Sequence, residues 1–366
     1  MKSSNKFKEL DSLRAIAVLL VLFLHFSTAF LFYSHTYDVS VVDSESLLRQ
    51  AQLIMGAKGV FLFFSLSGFL IVYLLKLKGF NKFNYRTYII RRFWRLHPPY
   101  VAALVIFFIV HLFLGDYDVQ LLVQSFFASF FYSHDLVFNH WSYILPVAWS
   151  LEVEIQFYLI APLFIYICTK LKSLFFVFLF FCLLLAASLY QFFEFRNLVK
   201  YLLYFIPGMF IAELYFEKLL LRRKSIFFDV AFMVSFFALV LSEPSIFDSL
   251  LLLVVFYSVF NLKLLNKFFN NEFLGFIGKI SFSVYLLHYP LFHLLMKLFA
   301  NKILFFDAYE YDMLFQWFIF FPITIALIYP FYLIFESPYV NKLTFTGNLK
   351  GLILKTKIMF RNAVKF

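Results

Sequence analysis

The sequence predicts an all-α polytopic membrane protein with about ten transmembrane helices. Hydrophobic residues make up 63% of the 366 positions and charged residues only 14%, and the mean hydropathy is +0.85. A soluble domain of this length needs far more polar residues to cover its surface, so that class is excluded. Apolar runs close to the ~20 residues that cross a bilayer recur along the chain. Basic residues gather in alternate loops, as expected of a chain that crosses a membrane repeatedly.

The apolar runs divide the chain into ten predicted membrane spans. Their approximate bounds are 12–33, 54–75, 97–114, 145–168, 174–191, 199–216, 226–241, 249–262, 280–299 and 314–335. Residues 119–133 are apolar but short, so we predict an interfacial or half-inserted helix on the outer side. Residues 1–340 then form a membrane domain, followed by a basic cytoplasmic tail at 341–366. No evident small-residue cleavage site follows the first run, which favours an uncleaved signal anchor.

The basic residues predict that both termini are cytoplasmic. With that orientation, 26 of the 32 Lys and Arg residues fall in inner segments, and six fall outside or near the outer half. This asymmetry satisfies the positive-inside rule. The net charge of +11 is therefore mainly a topology signal and gives no support to nucleic-acid binding. Cys168 and Cys182 lie in apolar runs without a CxxC pair, so we predict neither a disulfide framework nor a metal site.

Two ionisable residues share the first predicted span. Arg14 and His25 are eleven positions apart, a spacing that turns both side chains to one face of an α-helix. Their separation along the axis is roughly 16 Å at about 1.5 Å per residue, which puts His25 well inside the bilayer. Ionisable groups at that depth are candidates for function. The alternative is a basic flank followed by a histidine that hydrogen-bonds a neighbouring helix.

A basic segment precedes the third span. Arg91, Arg92 and Arg95 lie on the predicted cytoplasmic side, where Arg92 and Arg95 are neighbours on one helical face. Guanidinium groups bind phosphates through paired hydrogen bonds. The alternative is an anchor to anionic lipids of the inner leaflet. Pro98 and Pro99 follow, and we expect them to open a helix rather than continue one.

The fourth predicted span contains two carboxylates. Glu152 and Glu154 are two positions apart, about 200° around a helix, so they cannot form an acid–base pair on one face. We expect at most one of them to meet Arg14 or His25. The alternative is structural, with one glutamate reaching the outer interface and the other bonding a neighbouring helix.

A polar stripe marks the ninth predicted span. Ser281, Tyr285 and His288 are spaced i, i+4 and i+7 and therefore lie along one helical face. Such a stripe can support a site, and it is also common as a contact between helices in membranes. Near the end of the tenth span, Glu336 is expected to be a partly exposed carboxylate.

Seven motifs, taken in order along the chain, resemble the series of acyltransferase family 3, a family of membrane O-acyltransferases. They are LDSLRAIAV with His25 after Arg14, GVFLFFSLSGFLI, IIRRFWRLHPPY, WSLEVEIQFYLIAPL, YFIPGMF, SFSVYLLHYPL and FESP. Arg14 and His25 match the family's Arg-x10-His pair. Arg92 and Arg95 match its RxxR signature, and Glu154 matches the glutamate after WSL.

The resemblance implies an enzyme that transfers acyl groups, most often acetyl from acetyl-CoA, to glycan hydroxyls, for example in lipopolysaccharide O-antigen or exopolysaccharide. It implies a multi-pass place in the bacterial cytoplasmic (inner) membrane, in contact with membrane lipids, with acetyl-CoA as donor substrate and no tightly bound cofactor. His25 is then the general base, or carries the acyl group covalently. Arg14 orients the donor or stabilises oxyanion charge, Glu154 fixes the histidine or an arginine, and the three arginines of the basic segment bind acyl-CoA.

Two departures from the family pattern limit what carries over. Many relatives have an acidic or small polar residue where this chain has Phe61. A functional role of that position in relatives therefore does not carry over to Phe61. Some relatives append a soluble SGNH-type esterase domain, whereas 28 residues follow Pro338 in this sequence. We therefore expect the membrane domain to complete the transfer itself or to pass the acyl group to a separate periplasmic acceptor protein.

A polytopic transporter or flippase for a glycan or lipid intermediate is the alternative function. Many helices with ionisable residues near the midplane suit that class as well. No inverted repeat is visible, however, and the polar residues form inner arginines plus one histidine rather than a continuous relay. Bound acetyl-CoA in the purified protein distinguishes the two functions, because a transporter of this kind does not require it.

Overall fold

The fold was determined as a computed structural model. It describes residues 7–78, 84–115, 117–171, 196–220, 223–302, 304–306 and 308–340, together with isolated positions at 179, 182–186 and 189. Throughout these residues the regular structure is helical, without a strand. The predicted all-α class is confirmed.

Fourteen α-helices are described in chain order. They are α1 Lys8–Tyr33, α2 Val39–Glu45, α3 Leu47–Lys78, α4 Tyr85–Leu114, α5 Val119–Phe130, α6 His134–Phe138, α7 Trp149–Leu171, α8 Leu198–Phe216, α9 Ile226–Leu241, α10 Asp248–Val259, α11 Asn266–Phe269, α12 Glu272–Phe299, α13 Tyr309–Phe331 and α14 Ser337–Val340. A 3₁₀ turn at Pro146–Ala148 leads into α7, and a π-helical turn at Tyr332–Glu336 joins α13 to α14.

Seven segments of the described chain are long and apolar enough to cross a membrane. They contain α1, α3, α4, α7, α8, α12 and α13, and three shorter apolar helices are α5, α9 and α10. The predicted spans at 226–241 and 249–262 correspond to α9 and α10, which have only 16 and 12 residues. Most of the span at 174–191 and all of the tail at 341–366 lie outside the described residues. The cytoplasmic placement of both termini stays a prediction.

The structure contradicts the expectation for the third span. Helix α4 runs unbroken through Pro98 and Pro99, so these prolines do not open it. Each proline removes one backbone donor and frees a carbonyl one turn earlier. Membrane helices tolerate that loss when neighbouring groups satisfy the freed carbonyl. As a consequence, Arg92 and Arg95 belong to the same continuous helix as the apolar part of α4.

Close helix crossings at glycine organise the centre of the bundle. Helix α1 packs against α3 and α12, and α3 packs against α8. A Cβ atom placed on Gly208 of α8 would lie 1.7 Å from the backbone oxygen of Ser65 on α3. A Cβ atom on Gly278 of α12 would lie 1.9 Å from the backbone oxygen of Asp11 on α1. Without a hydrophobic drive between helices in lipid, such close backbone approach is what holds the bundle together.

A buried ion pair ties the α9–α10 hairpin to this centre. The Lys58 Nζ atom on α3 lies 2.7 Å from Asp248 Oδ2 on α10, and both side chains are 0% exposed. The sequence predicts both residues in or near the outer half of the membrane. It does not show that they pair, because they are 190 positions apart in the chain. Removing one partner of such a pair leaves an uncompensated buried charge, which is strongly destabilising.

Two glycines three positions apart on α12 give a matched test of the α1–α12 crossing. We expect Gly278→Ala to lower stability by about 1–3 kcal/mol, because its methyl group overlaps the Asp11 carbonyl. Gly275→Ala is the control, since no atom from another part of the described chain lies within 4 Å of its Cβ position and alanine favours a helix by up to ~1 kcal/mol. Thermal inactivation of the solubilised protein measures both. Equal midpoints for the two variants would contradict this crossing.

Candidate active site

A cleft between α1, α3, α4, α7 and α12 brings together most of the residues that the sequence singles out. It encloses about 840 Å³, a volume that includes the open space at its mouth. Its polar lining consists of Arg14, Ser67, Arg92, Arg95, Ser150, Glu154, Tyr158, Ser281 and Tyr285. Phe63, Phe64 and other apolar residues form the remainder. The cleft is therefore cationic, with a single carboxylate and an apolar wall.

Arg14 is held in the cleft from its own helix. Its Nη1 atom donates to Asp11 Oδ1 at 2.6 Å, one turn earlier on α1. The Asp11 backbone is in turn the group against which Gly278 packs. The α1–α12 crossing thus positions both the arginine and the carboxylate that orients it.

Arg91, Arg92 and Arg95 of α4 have different surroundings. Arg92 is buried, with its guanidinium carbon 5.7 Å from the Tyr88 ring and 5.3 Å from the Tyr158 ring. Arg95 lines the cleft, although it is more exposed. Arg91 is exposed and is not part of the cleft lining. The structure supports a common site for Arg92 and Arg95 and leaves Arg91 outside it.

The two glutamates of α7 point to different places, as their spacing predicts. Glu154 faces the cleft and accepts hydrogen bonds from the hydroxyls of Ser67 and Tyr158. Glu152 is buried and accepts the backbone N–H groups of His134 and Asp135, each at 3.1 Å. Among the described residues, Glu154 is therefore held by two hydroxyl groups. Of the two kinds of group that it is predicted to fix, arginines share its cleft, whereas His25 does not line it.

His25 lies beyond the cleft rather than in its lining. Its ring centre is 5.2 Å from that of His288 and 5.2 Å from that of Tyr289, both on α12. Tyr285 connects the two regions, since it lines the cleft and its ring centre is 5.7 Å from His288. A shared helical face does not bring Arg14 and His25 into one pocket, because eleven residues separate them by roughly 16 Å along the axis.

The polar stripe of α12 divides at Tyr285. Ser281 and Tyr285 line the cleft, whereas His288 packs on His25. The Tyr285 hydroxyl donates to the Val147 backbone oxygen at 2.9 Å and lies 2.6 Å from Ser150 Oγ. The stripe is thus both a contact between helices and part of the site. Through these two hydrogen bonds, Tyr285 also holds the 3₁₀ turn and the start of α7 against α12.

Several residues of the site were not identified from the sequence. Ser67 and Tyr158 hold Glu154; the spacing of Tyr158, four positions after Glu154, is a signal that could have found it.

The expectation for Glu336 was wrong, because this carboxylate is 5% exposed. It accepts the Ser283 backbone N–H at 3.0 Å and the Ser283 hydroxyl at 2.5 Å. It closes the π-helical turn after α13, an irregularity that is frequent at functional sites.

Phe61 also has a structural explanation. Its ring stacks on Tyr204 of α8 with centres 3.6 Å apart and planes inclined by 7°. It does not line the cleft. In this chain Phe61 therefore contributes to the packing of α3 against α8.

Comparisons with known proteins agree with these motifs. The family model for acyltransferase family 3, described as an acyltransferase domain, matches residues 7–333. The peptidoglycan O-acetyltransferase OatA of Listeria monocytogenes is 34% identical over 127 aligned positions, which cover 31% of this chain and 20% of the relative. The chain therefore spans about a fifth of the length of that relative. No solved structure matches.

Proposed function

Because this chain belongs to acyltransferase family 3, we propose that it is a membrane O-acyltransferase that moves an acyl group from acyl-CoA to a glycan hydroxyl. The observation that carries the proposal is the cleft, which joins Arg14, Arg92 and Arg95 to an apolar wall. A CoA thioester has matching parts, since its phosphates are anionic and its acyl end is apolar. Acetyl is the proposed acyl group, in keeping with the name of the relative.

The arginines support a donor site for CoA phosphates. A guanidinium group makes paired, charge-assisted hydrogen bonds to phosphate oxygens, and partial burial strengthens them. Arg92 is buried beside the rings of Tyr88 and Tyr158, and Arg95 lies one turn away on the same helix. The thioester then extends along Phe63 and Phe64 towards Tyr285. In this arrangement Arg14 stabilises negative charge on the thioester oxygen or orients the donor.

His25 is the proposed general base at the far end of this path. Its imidazole takes the proton of the acceptor hydroxyl while the hydroxyl oxygen attacks the thioester carbon. The new C–O ester bond forms, the C–S bond breaks, and the proton passes to the CoA thiolate. A covalent acyl-histidine is the variant of this step in which the imidazole attacks first.

The acceptor class follows from the family and from the relative. Sugars of peptidoglycan, lipopolysaccharide O-antigen and exopolysaccharide all present hydroxyls of the required kind, and the relative is named for peptidoglycan. We place the enzyme in the bacterial cytoplasmic (inner) membrane, with the donor on the cytoplasmic side and the glycan or lipid-linked sugar on the other. A separate periplasmic acyl acceptor protein is a further proposed partner.

Reconstitution in lipid nanodiscs tests the function. The purified protein is incubated with acetyl-CoA carrying a labelled acetyl group and with each glycan class, and free CoA and acetylated glycan are measured. We expect one CoA thiol for each acetyl ester on at least one glycan, identified by mass spectrometry. A protein that neither binds nor consumes acetyl-CoA, yet moves labelled glycan across vesicles, would be the transporter of the alternative hypothesis.

A further inference from the structure

His288 has one hydrogen-bonding atom that the fold leaves without a partner. The side chain is fully buried, and its Nδ1 atom lies 2.8 Å from the Tyr285 carbonyl oxygen and 3.1 Å from the Val284 carbonyl oxygen. A carbonyl oxygen can only accept, so Nδ1 carries the proton. In the neutral ring Nε2 therefore has an unprotonated lone pair. Within the described residues, this buried Nε2 atom has no hydrogen-bond partner.

The ring that faces His288 is that of His25. The two ring centres are 5.2 Å apart, with planes inclined by 48°. Two imidazoles joined by an N–H···N hydrogen bond of about 2.9 Å have centres roughly 5 Å apart. The two ring centres are thus at the separation that such a bond requires. Buried acceptors without a partner are rare in folded proteins, and each calls for an explanation.

We propose that His288 is a positioning residue for His25. Its Nε2 lone pair accepts a hydrogen bond from one nitrogen of His25, which fixes the tautomer and leaves the other nitrogen as the base for the acceptor hydroxyl. When His25 takes up the proton of that hydroxyl, Nε2 of His288 also stabilises the resulting imidazolium. A third group that orients a catalytic histidine in this way is a general device. The inference rests on the proposed function, in which His25 is the base.

Two substitutions separate the acceptor atom from the ring. His288→Phe keeps a ring against Tyr285 and Phe292 but removes the lone pair. His288→Gln keeps an acceptor oxygen near the place of Nε2. We expect His288→Phe to lower kcat by about 10- to 100-fold, as for other groups that orient functional histidines, with KM for acetyl-CoA unchanged. His288→Gln is expected to recover most of that loss. A structural role alone would not depend on the acceptor.

His293→Phe is the matched control. His293 lies on the same helix and also has a buried Nε2 atom without a partner among the described residues. Its ring contacts those of Tyr289, Tyr33 and Phe32, with the Tyr289 ring centre 4.4 Å away. The histidine ring in contact with His25 is that of His288. We expect near-normal kcat for this variant. An unchanged kcat in His288→Phe, or an equal loss in His293→Phe, would overturn the assignment.

A double mutant tests whether His288 acts through His25. In a His25→Ala background, where the partner is gone, His288→Phe is expected to cause no further loss of the residual activity. A full additional loss would show that His288 acts independently of His25 and would refute the proposal.

A measurement on the unsubstituted protein keeps the inference testable if the His288 variants do not fold. In ¹⁵N-histidine-labelled protein, we expect a scalar coupling across an N–H···N bond, with the signals assigned by their loss in His25→Ala. A directly detected His25 N–H signal without this coupling would overturn the inference. Failure of acyl transfer by the unsubstituted protein would count against the proposed function instead, and this spectrum does not depend on it.

Discussion

His25→Ala is expected to lower acyl transfer by about 100- to 10,000-fold, the usual cost of removing a positioned general base. The variant should still accumulate in the membrane, since the site is formed mainly by helix packing that does not depend on the imidazole. His25 contacts the rings of His288 and Tyr289, and alanine leaves the glycine crossings of α1 intact. Labelled acetyl transfer per unit of purified protein measures the effect.

His35→Ala is the control for this substitution. His35 follows α1 and is exposed, and its backbone N–H, which alanine retains, donates to Asn301 Oδ1 at 2.8 Å. We expect normal transfer in this variant. Near-normal glycan acetylation by His25→Ala would remove His25 from the mechanism and make the cleft residues the centre of the chemistry.

The sequence predicted helices better than it predicted their limits. Apolar runs show where a helix crosses, because lipid demands them, and the spans of α1, α3 and α12 follow directly. The rule that proline opens a helix failed at Pro98 and Pro99, because it holds for helices in water and α4 lies in a packed bundle. Hydropathy located the short helices α9 and α10 closely, at 226–241 and 249–262, but it counted both as spans, although their 16 and 12 residues fall short of the ~20 that cross a bilayer.

The sequence identified the ionisable residues of the site but not their contacts. The 200° angle between Glu152 and Glu154 was enough to show that only one faces the cleft, because this depends on a single helix. The partners depend on other helices. Glu336 is buried and accepts its hydrogen bonds from Ser283, which is 53 positions away, and no local pattern shows this. For the same reason, the periodicity of α1 could not show that Tyr285 of α12 comes between the cleft and His25.

Arg92→Lys is expected to weaken binding of acetyl-CoA by about 10- to 100-fold, although the charge is kept. The loss of paired hydrogen bonds to a phosphate, each charge-assisted bond contributing about 1.5–3 kcal/mol, accounts for an effect of this size. Lysine also lacks the planar group that lies beside the rings of Tyr88 and Tyr158. Titration of the purified variant with acetyl-CoA measures the change, and Arg95→Lys is expected to behave in the same direction.

Arg91→Lys is the matched control, because Arg91 is adjacent on α4 but exposed and outside the cleft lining. Its affinity for acetyl-CoA should be unchanged. Acetyl-pantetheine without the nucleotide provides the second comparison, since it lacks the 3′-phosphate and the diphosphate; the Arg92→Lys variant should bind it as the unsubstituted protein does.

If these arginines instead anchor the helix to the inner leaflet, Arg→Lys should leave the affinity for acetyl-CoA unchanged, because arginine and lysine are attracted to anionic lipids about equally. Equal acetyl-CoA affinities for the Arg91, Arg92 and Arg95 variants would therefore favour the anchor. The donor phosphates would then have to bind elsewhere in the cleft, where Arg14 is the remaining arginine.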